Sequence, residues 1–148
     1  MSSFMYINAK QTQWNGTTYL DETQYAGDIK ALLVMSNTTA DTDTTAATIS
    51  GFGTLDEFDG AGYARLLLTT RLVSLDSLNA RAEFHAADLN FGARANGTRQ
   101  IVGIVLFFDL GADANNIPLF YFDIGSSINP GGLTLIFPVD AEGLAQLA

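Results

Sequence analysis

The feature that most constrains this fold is a series of short runs rich in β-branched and aromatic residues, separated by Gly, Asn, Asp and Pro. No stretch of helix length sustains a clean apolar period of 3.6 residues, which an amphipathic helix requires. Both observations favour an all-β chain, folded as an antiparallel β-sandwich or a jelly-roll-like barrel. The six runs that we predict as strands are residues 29–35, 63–74, 80–86, 101–109, 119–124 and 133–137.

The N-terminal part of the chain contains a turn signal, Asn15-Gly16, whose residues favour the positive φ angles of a tight type I′ turn. We therefore expect a hairpin over residues 7–20, as part of an N-terminal hairpin or arm that comprises residues 1–27. A chain of 148 residues has the size of one domain. Residues 1–148 are accordingly expected to form a single β-sandwich domain.

Three later segments are predicted from their composition. Residues 129–132 read Asn-Pro-Gly-Gly and predict a hairpin between the last two strands, and residues 141–147 are expected to form a terminal helical turn. Residues 36–48 are rich in Ser, Thr, Asp and Ala, so we expect a long loop that orders only against a partner. Asp41 and Asp43 in this loop are expected to serve its solubility.

Charge and composition exclude several classes of function. Sixteen acidic residues against seven basic ones give a net charge of −9, which repels a phosphate backbone and disfavours nucleic-acid binding. There is no cysteine for disulfides or thiol catalysis. The N-terminus lacks the pattern of a secretory signal, and the longest apolar run, residues 101–108, is far shorter than the roughly 20 residues of a membrane span. We expect neither a membrane nor a nucleic acid as partner.

The sequence offers little for catalysis. His85 is the single histidine, and no serine lies in a nucleophile motif such as G-x-S-x-G, so a catalytic triad has no support. His85 is expected to be solvated or to lie at an interface. We predict no enzyme activity, no catalytic or metal-ligating residues and no cofactor.

One acidic cluster, Asp56, Glu57 and Asp59, leaves two alternatives open. Its carboxylates lie beside glycines and could converge on a hard cation such as calcium, although their spacing matches no established calcium loop. The same residues could form the pair of carboxyl groups that glycoside hydrolysis needs. The sequence does not decide whether the cluster binds a cation.

The aromatic residues suggest a further alternative. An aromatic platform for sugars, which would make the chain a carbohydrate-binding protein, or a protein contact could be formed by one of two sets: Trp14 with Tyr19 and Tyr25, or Phe107, Phe108, Phe120, Tyr121 and Phe122. In residues 101–109 and 119–122, both alternating faces are apolar, so these strands must be covered on both sides, within the fold or by another subunit. Together with a charged fraction of only 16%, this pattern favours assembly into a larger structure.

Five segments, in their order along the chain, resemble a widespread family of small virion proteins of tailed bacteriophages. Residues 28–34 are similar to the D-x-I-K-V-x-L-V strand that opens this family. The other similar segments are residues 60–65 (G-x-G-Y), 82–91 (A-x-F-x-A-D-D-V-x-F), the strand pair 103–111 and 118–123 (an apolar strand, Asp-x-Gly, and a strand ending in Asp) and 137–144 (F-x-x-x-G-(I/L)). Family members often begin with a short helix, where this chain is expected to have a hairpin.

The resemblance implies a β-sandwich component of the phage particle. Its expected role is that of a capsid decoration or cement protein, which stabilises the head by bridging subunits of the major capsid protein. The alternative placement is at the tail or the head-tail junction. The protein would be made in the host cytoplasm, lie on the capsid surface of the virion and act as a homo-oligomer, a trimer or a dimer, without enzymatic activity.

Overall fold

The structure is a computed structural model that describes residues 3–14, 20, 28–141 and 143–147. It confirms an all-β chain with antiparallel sheets packed as a sandwich. The elements in chain order are β1 Phe4–Met5, α1 Ile7–Trp14, β2 Ile29–Met35, β3 Leu66–Leu67, β4 Leu72–Asp76, β5 Arg81–His85, β6 Leu89–Ala93, β7 Ile101–Phe108, β8 Ile117–Ile128, β9 Thr134–Phe137 and β10 Ala145–Leu147.

The described strands form three sheets. A five-stranded central sheet has the order β1-β8-β7-β2-β3, a three-stranded sheet has the order β10-β5-β4, and β6 pairs with β9. Every pair of neighbouring strands is antiparallel. Long strands rich in Ile, Val, Leu and Phe thus lie in the middle of the largest sheet, where both faces need a cover.

The central sheet is covered on both faces by other parts of the same chain. Phe120 of β8 stacks on Phe84 of β5, with ring centroids 6.3 Å apart. The next residue, Tyr121, points to the opposite face because side chains alternate along a strand, and there it stacks on Phe4 at 5.5 Å. The two smaller sheets cover the face of Phe120, where Leu89 of β6 lies near Phe122 of β8. Phe4 is the neighbour of Tyr121 within the central sheet, and α1, which packs against β8, contributes to the cover of the other face.

The long loop of residues 36–48 also belongs to this second cover. The Tyr6 hydroxyl donates to the carbonyl oxygen of Ala40 at 2.7 Å, and the backbone N–H of Ile7 donates to the carbonyl oxygen of Thr44 at 3.0 Å. The prediction that this loop orders only against a partner is therefore wrong. The loop is ordered by contacts within its own chain.

The N-terminal hairpin expected over residues 7–20 is also wrong in its first half. Residues 7–14 form the helix α1, which packs against β8 and begins with a hydrogen bond from the Lys10 N–H to the Tyr6 carbonyl oxygen at 3.0 Å. Ala, Lys and Gln in this stretch favour a helix, and Ala9 is fully buried. The expected turn at Asn15-Gly16 lies outside the described residues.

Two further predictions failed because the chain moves between sheets. Residues 63–74 do not form one strand: β3 belongs to the central sheet and β4 to the three-stranded sheet, with Thr70 at φ 57° between them. Residues 129–132 do not close a hairpin, because β8 pairs with β1 and β7 whereas β9 pairs with β6.

The C-terminal segment is a strand and not the predicted helical turn. Gly143 has φ 82°, and a Cβ atom on it would meet the carbonyl oxygen of Phe84 at 2.5 Å. The following N–H group, of Leu144, donates to that carbonyl oxygen at 2.7 Å. Gly143 thus ends any helical path and leads the chain into β10, which pairs with β5.

Candidate interaction surface

The two most exposed large apolar side chains among the described residues lie on one hairpin, formed by β4 and β5. Leu78 in its turn is 91% exposed and Leu75 is 84% exposed, while Leu72 at its base is 51% exposed. We call residues 72–85 the leucine hairpin. Single exposed leucines are ordinary on protein surfaces, whereas a group on one projecting element is typical of an interaction site.

The register of the hairpin explains why its base is buried and its end is not. Val73 pairs with Phe84, and Leu75 pairs with Ala82, so all four side chains lie on one face. Phe84 is 3% exposed because it stacks on the central sheet. The hairpin therefore packs against the core at its base, and Leu75 extends beyond the core toward solvent.

The turn that carries Leu78 is held by the carboxylate of Asp76. Its Oδ1 atom accepts hydrogen bonds from the N–H groups of Leu78 at 3.1 Å and Asn79 at 3.2 Å, and its Oδ2 atom accepts one from the Asn79 side chain at 2.6 Å. Hydrogen bonds from Asn79, and then the neighbouring Arg81, lower the pKa of Asp76. An ordered turn presents Leu78 in a fixed position, which reduces the entropy lost when a partner binds.

The opposite face of the hairpin carries Leu72 at its base and is otherwise polar. The Arg81 guanidinium lies 2.9 Å from Glu83 and 3.2 Å from Asp76. His85 Nε2 lies 2.9 Å from the Ser74 hydroxyl and 3.4 Å from Glu83 Oε2. His85 is half-buried and belongs to a network of side chains within the hairpin.

The structure does not bring the acidic cluster of residues 56–59 together. Asp56 accepts a hydrogen bond from a backbone N–H group at 2.8 Å, Glu57 pairs with Arg65 at 2.7 Å, and Asp59 accepts bonds from the N–H and hydroxyl of Thr98, both at 2.8 Å. These bonds lower the pKa of Asp59, whereas a general acid needs a raised one. Within the described part of the chain, no three His, Cys, Asp or Glu residues form a group that could hold a metal ion.

Sequence analysis missed a bridge centred on Arg65. Its guanidinium donates to Glu57 at 2.7 and 2.9 Å and to Asp113 at 2.5 and 2.8 Å. It also lies over the Phe107 ring, 5.2 Å from the centroid. The Arg65 hydrogen bonds lower the pKa of Asp113. The guanidinium thus joins the segments that carry Glu57, Asp113 and Phe107, which suits a structural role.

The sequence left open whether the strands with two apolar faces are covered within the fold or by another subunit. In β7, every residue except Val102 is buried, and Phe120 and Tyr121 of β8 are buried as well. Both faces of these strands are thus covered within the fold. Their two-sided apolar pattern therefore gives no support to a second subunit, and the leucine hairpin remains as the apolar surface to explain.

Of the residues expected to form an aromatic platform with Trp14, Tyr19 and Tyr25 lie outside the described residues, and Trp14 is the last residue of α1. None of the helices that the structure describes is long and apolar enough to cross a membrane.

The chain was compared with protein-family models, with curated proteins and with solved structures, and none of the three comparisons gave a match. The leucine hairpin and the segments that resemble phage virion proteins are therefore the two supports for a functional proposal.

Proposed function

We propose that this protein is a structural component of a tailed-bacteriophage virion, a capsid decoration or cement protein that bridges subunits of the major capsid protein. In this role it lies on the capsid surface as a trimer or dimer and carries out no catalysis. The leucine hairpin is its contact element. The exposure of Leu75 and Leu78 on one ordered turn is the observation that carries the proposal.

The magnitude of the apolar contact favours attachment in many copies. Burying one leucine side chain contributes about 1.5–3 kcal/mol, so two leucines contribute about 3–6 kcal/mol for each copy. Association of two proteins costs about 4–15 kcal/mol of translational and rotational freedom. One hairpin alone therefore binds weakly, and firm attachment requires several linked contacts, as a homo-oligomer on a symmetric shell provides.

The N-terminal segment agrees with the resemblance only in part. Members of the phage family often begin with a short helix that leads into their first strand. This chain has a helix, α1, where a hairpin was expected, but the strand β1 precedes it. The composition agrees with a role in assembly, since only 16% of the residues are charged.

Replacement of Leu75 and Leu78 by serine tests whether the leucine hairpin contacts the capsid. The double variant Leu75→Ser/Leu78→Ser should keep its fold, because both side chains are exposed in the free chain. Its affinity for purified phage heads should fall at least about 100-fold, which corresponds to the loss of about 3 kcal/mol of apolar contact. Co-sedimentation with heads that lack this protein measures the affinity, and circular dichroism measures the fold.

A matched control is Leu133→Ser, which alters another leucine that is 73% exposed, next to β9. It should bind heads as the wild type does. An equal loss of affinity for heads in this variant and in the double variant would contradict a specific role of the hairpin. Wild-type protein that does not co-sediment with heads, and that light scattering shows to be a monomer, would overturn the decoration proposal itself.

A further inference from the structure

The central sheet has a wide bulge in β8. Ile101 of β7 pairs with Ile128, and the next pair joins Gly103 to Asp123. Residues 124–127 of β8 therefore stand opposite one residue of β7. Bulges are over-represented next to functional sites because the extra residues redirect side chains. Here the bulge forms one wall of an open pocket with a volume of about 260 Å³.

The lining of this pocket is mostly polar. It includes the carboxylates of Asp41 and Asp123, the phenol of Tyr121 and the hydroxyl groups of Ser36 and Ser126. The volume is far larger than the roughly 30 Å³ that one water occupies in the liquid, and it lies just below the roughly 300 Å³ at which pockets for drug-sized ligands begin. The size therefore suits one small polar ligand.

Two complementary groups in the pocket have no hydrogen-bond partner among the described residues. Tyr121 is 1% exposed, and its hydroxyl group makes no hydrogen bond to any of them. The carboxylate of the half-buried Asp41 likewise accepts none. The hydroxyl group of Tyr121 borders the open pocket, where a ligand can reach it. A hydroxyl group of a ligand can accept from the phenol and donate to the carboxylate at the same time.

The surroundings of Tyr121 favour the protonated form of its hydroxyl group and leave space for its ring. Burial, and then the charges of Asp41 and Asp123, raise the pKa of Tyr121 to about 12, further above neutral pH, at which a phenol is already protonated. A Cβ atom at Gly103 would collide with the Tyr121 hydroxyl and ring. The glycine in the middle of β7 thus leaves the space that the phenol occupies.

We propose that this pocket binds one sugar unit of a saccharide, with Tyr121 donating to a ring hydroxyl that in turn donates to Asp41. A sugar unit supplies several hydroxyl groups for the remaining polar lining, and Val102 contacts its C–H groups. Because the pocket holds two carboxylates and the chain has a net charge of −9, it takes a neutral sugar in preference to an acidic one. This assignment does not depend on the virion role.

Calorimetric titration of the full chain with monosaccharides tests the proposal. The probes are glucose, galactose, mannose and N-acetylglucosamine, and glucuronate serves as the acidic counterpart of glucose. At least one neutral sugar should bind saturably, and Tyr121→Phe and Asp41→Asn should each weaken its binding about tenfold, as expected for one lost hydrogen bond. Thr42→Ala, next to Asp41 but exposed and outside the pocket, should leave binding unchanged.

Several results would overturn the assignment. One is the absence of saturable binding for all four neutral sugars, and another is equal binding by the wild type and Tyr121→Phe. Glucuronate binding more tightly than glucose would contradict the charge argument. Calcium binding that depends on Asp41, without any sugar binding, would identify the pocket as a cation site instead. Tyr121→Phe should remain folded because the hydroxyl it removes has no partner, and circular dichroism checks this.

Discussion

The strand β7 and the leucine hairpin are both rich in apolar residues, yet they have opposite environments. Phe107 in β7 is fully buried, whereas Leu75 in the hairpin is 84% exposed. The difference follows from their neighbours. β7 lies between β8 and β2 in a sheet that is covered on both faces, whereas the end of the hairpin extends past the core, and β5 is the one described strand that pairs with β4. Apolar composition alone therefore does not identify the core.

The largest effect that tests this comparison is expected from truncation in β7. Phe107→Ala should lower the free energy of unfolding by about 3–5 kcal/mol, because it leaves a cavity in the central sheet and removes the ring beneath Arg65. Leu75→Ala should change the same quantity by less than about 0.5 kcal/mol. Urea unfolding followed by circular dichroism measures both. A loss above about 2 kcal/mol for Leu75→Ala would mean that the hairpin end packs within the free chain.

An intermediate effect is expected from adding a single methyl group to β7. Gly103→Ala should destabilise the fold by about 1–3 kcal/mol, since the new Cβ atom collides with the ring of Tyr121 and forces it to move. Gly53→Ala is the matched control, because its Cβ atom would meet the Thr39 side chain at an ordinary contact distance of 3.6 Å. Thermal unfolding of both variants checks the difference, and equal melting temperatures would contradict tight packing beneath Tyr121.

The smallest effect concerns the turn of the hairpin and its dependence on pH. The folded state lowers the pKa of Asp76 below its value in the unfolded chain, which is about 4. The carboxylate therefore stabilises the turn fully above about pH 4, and this contribution is lost as the pH falls toward the lowered, folded pKa. Amide hydrogen exchange at Leu78 and Asn79 should be slower in wild type than in Asp76→Asn at pH 6. The two proteins should converge once the pH falls below the lowered pKa of Asp76, in exchange corrected for its intrinsic rate, and a difference that stays constant down to acidic pH would exclude titration of Asp76 as the cause.

The sequence predicted the positions of several strands well and their partners poorly, and it predicted only the middle of β8, the longest strand. β2, β5, β7 and β9 lie within the predicted runs, because consecutive β-branched and aromatic residues between turn residues favour strands wherever they lie. β1, β6 and β10 were missed. They are short, and their pairing depends on strands far away in the sequence, as for β6 with β9 and β10 with β5.

The candidate sites also depend on contacts between residues that are far apart in the sequence. The sequence drew attention to the acidic residues at 56–59 because they are close along the chain, but each of them has a different partner in the fold. Asp41 was expected only to serve solubility, and its pocket includes Tyr121, 80 positions away, across a bulge that no local pattern predicts. The Arg65 bridge joins residues 57 and 113 for the same reason.

The sequence by itself determined that this chain is an all-β protein, since strand propensity and turn residues act over a few neighbouring positions. Only the tertiary structure decided which apolar residues are buried and which carboxylates meet a partner. Both outcomes depend on contacts between residues far apart in the chain, through strand register and sheet order. The two-sided strands are therefore enclosed, and the leucines of one hairpin are left at the surface.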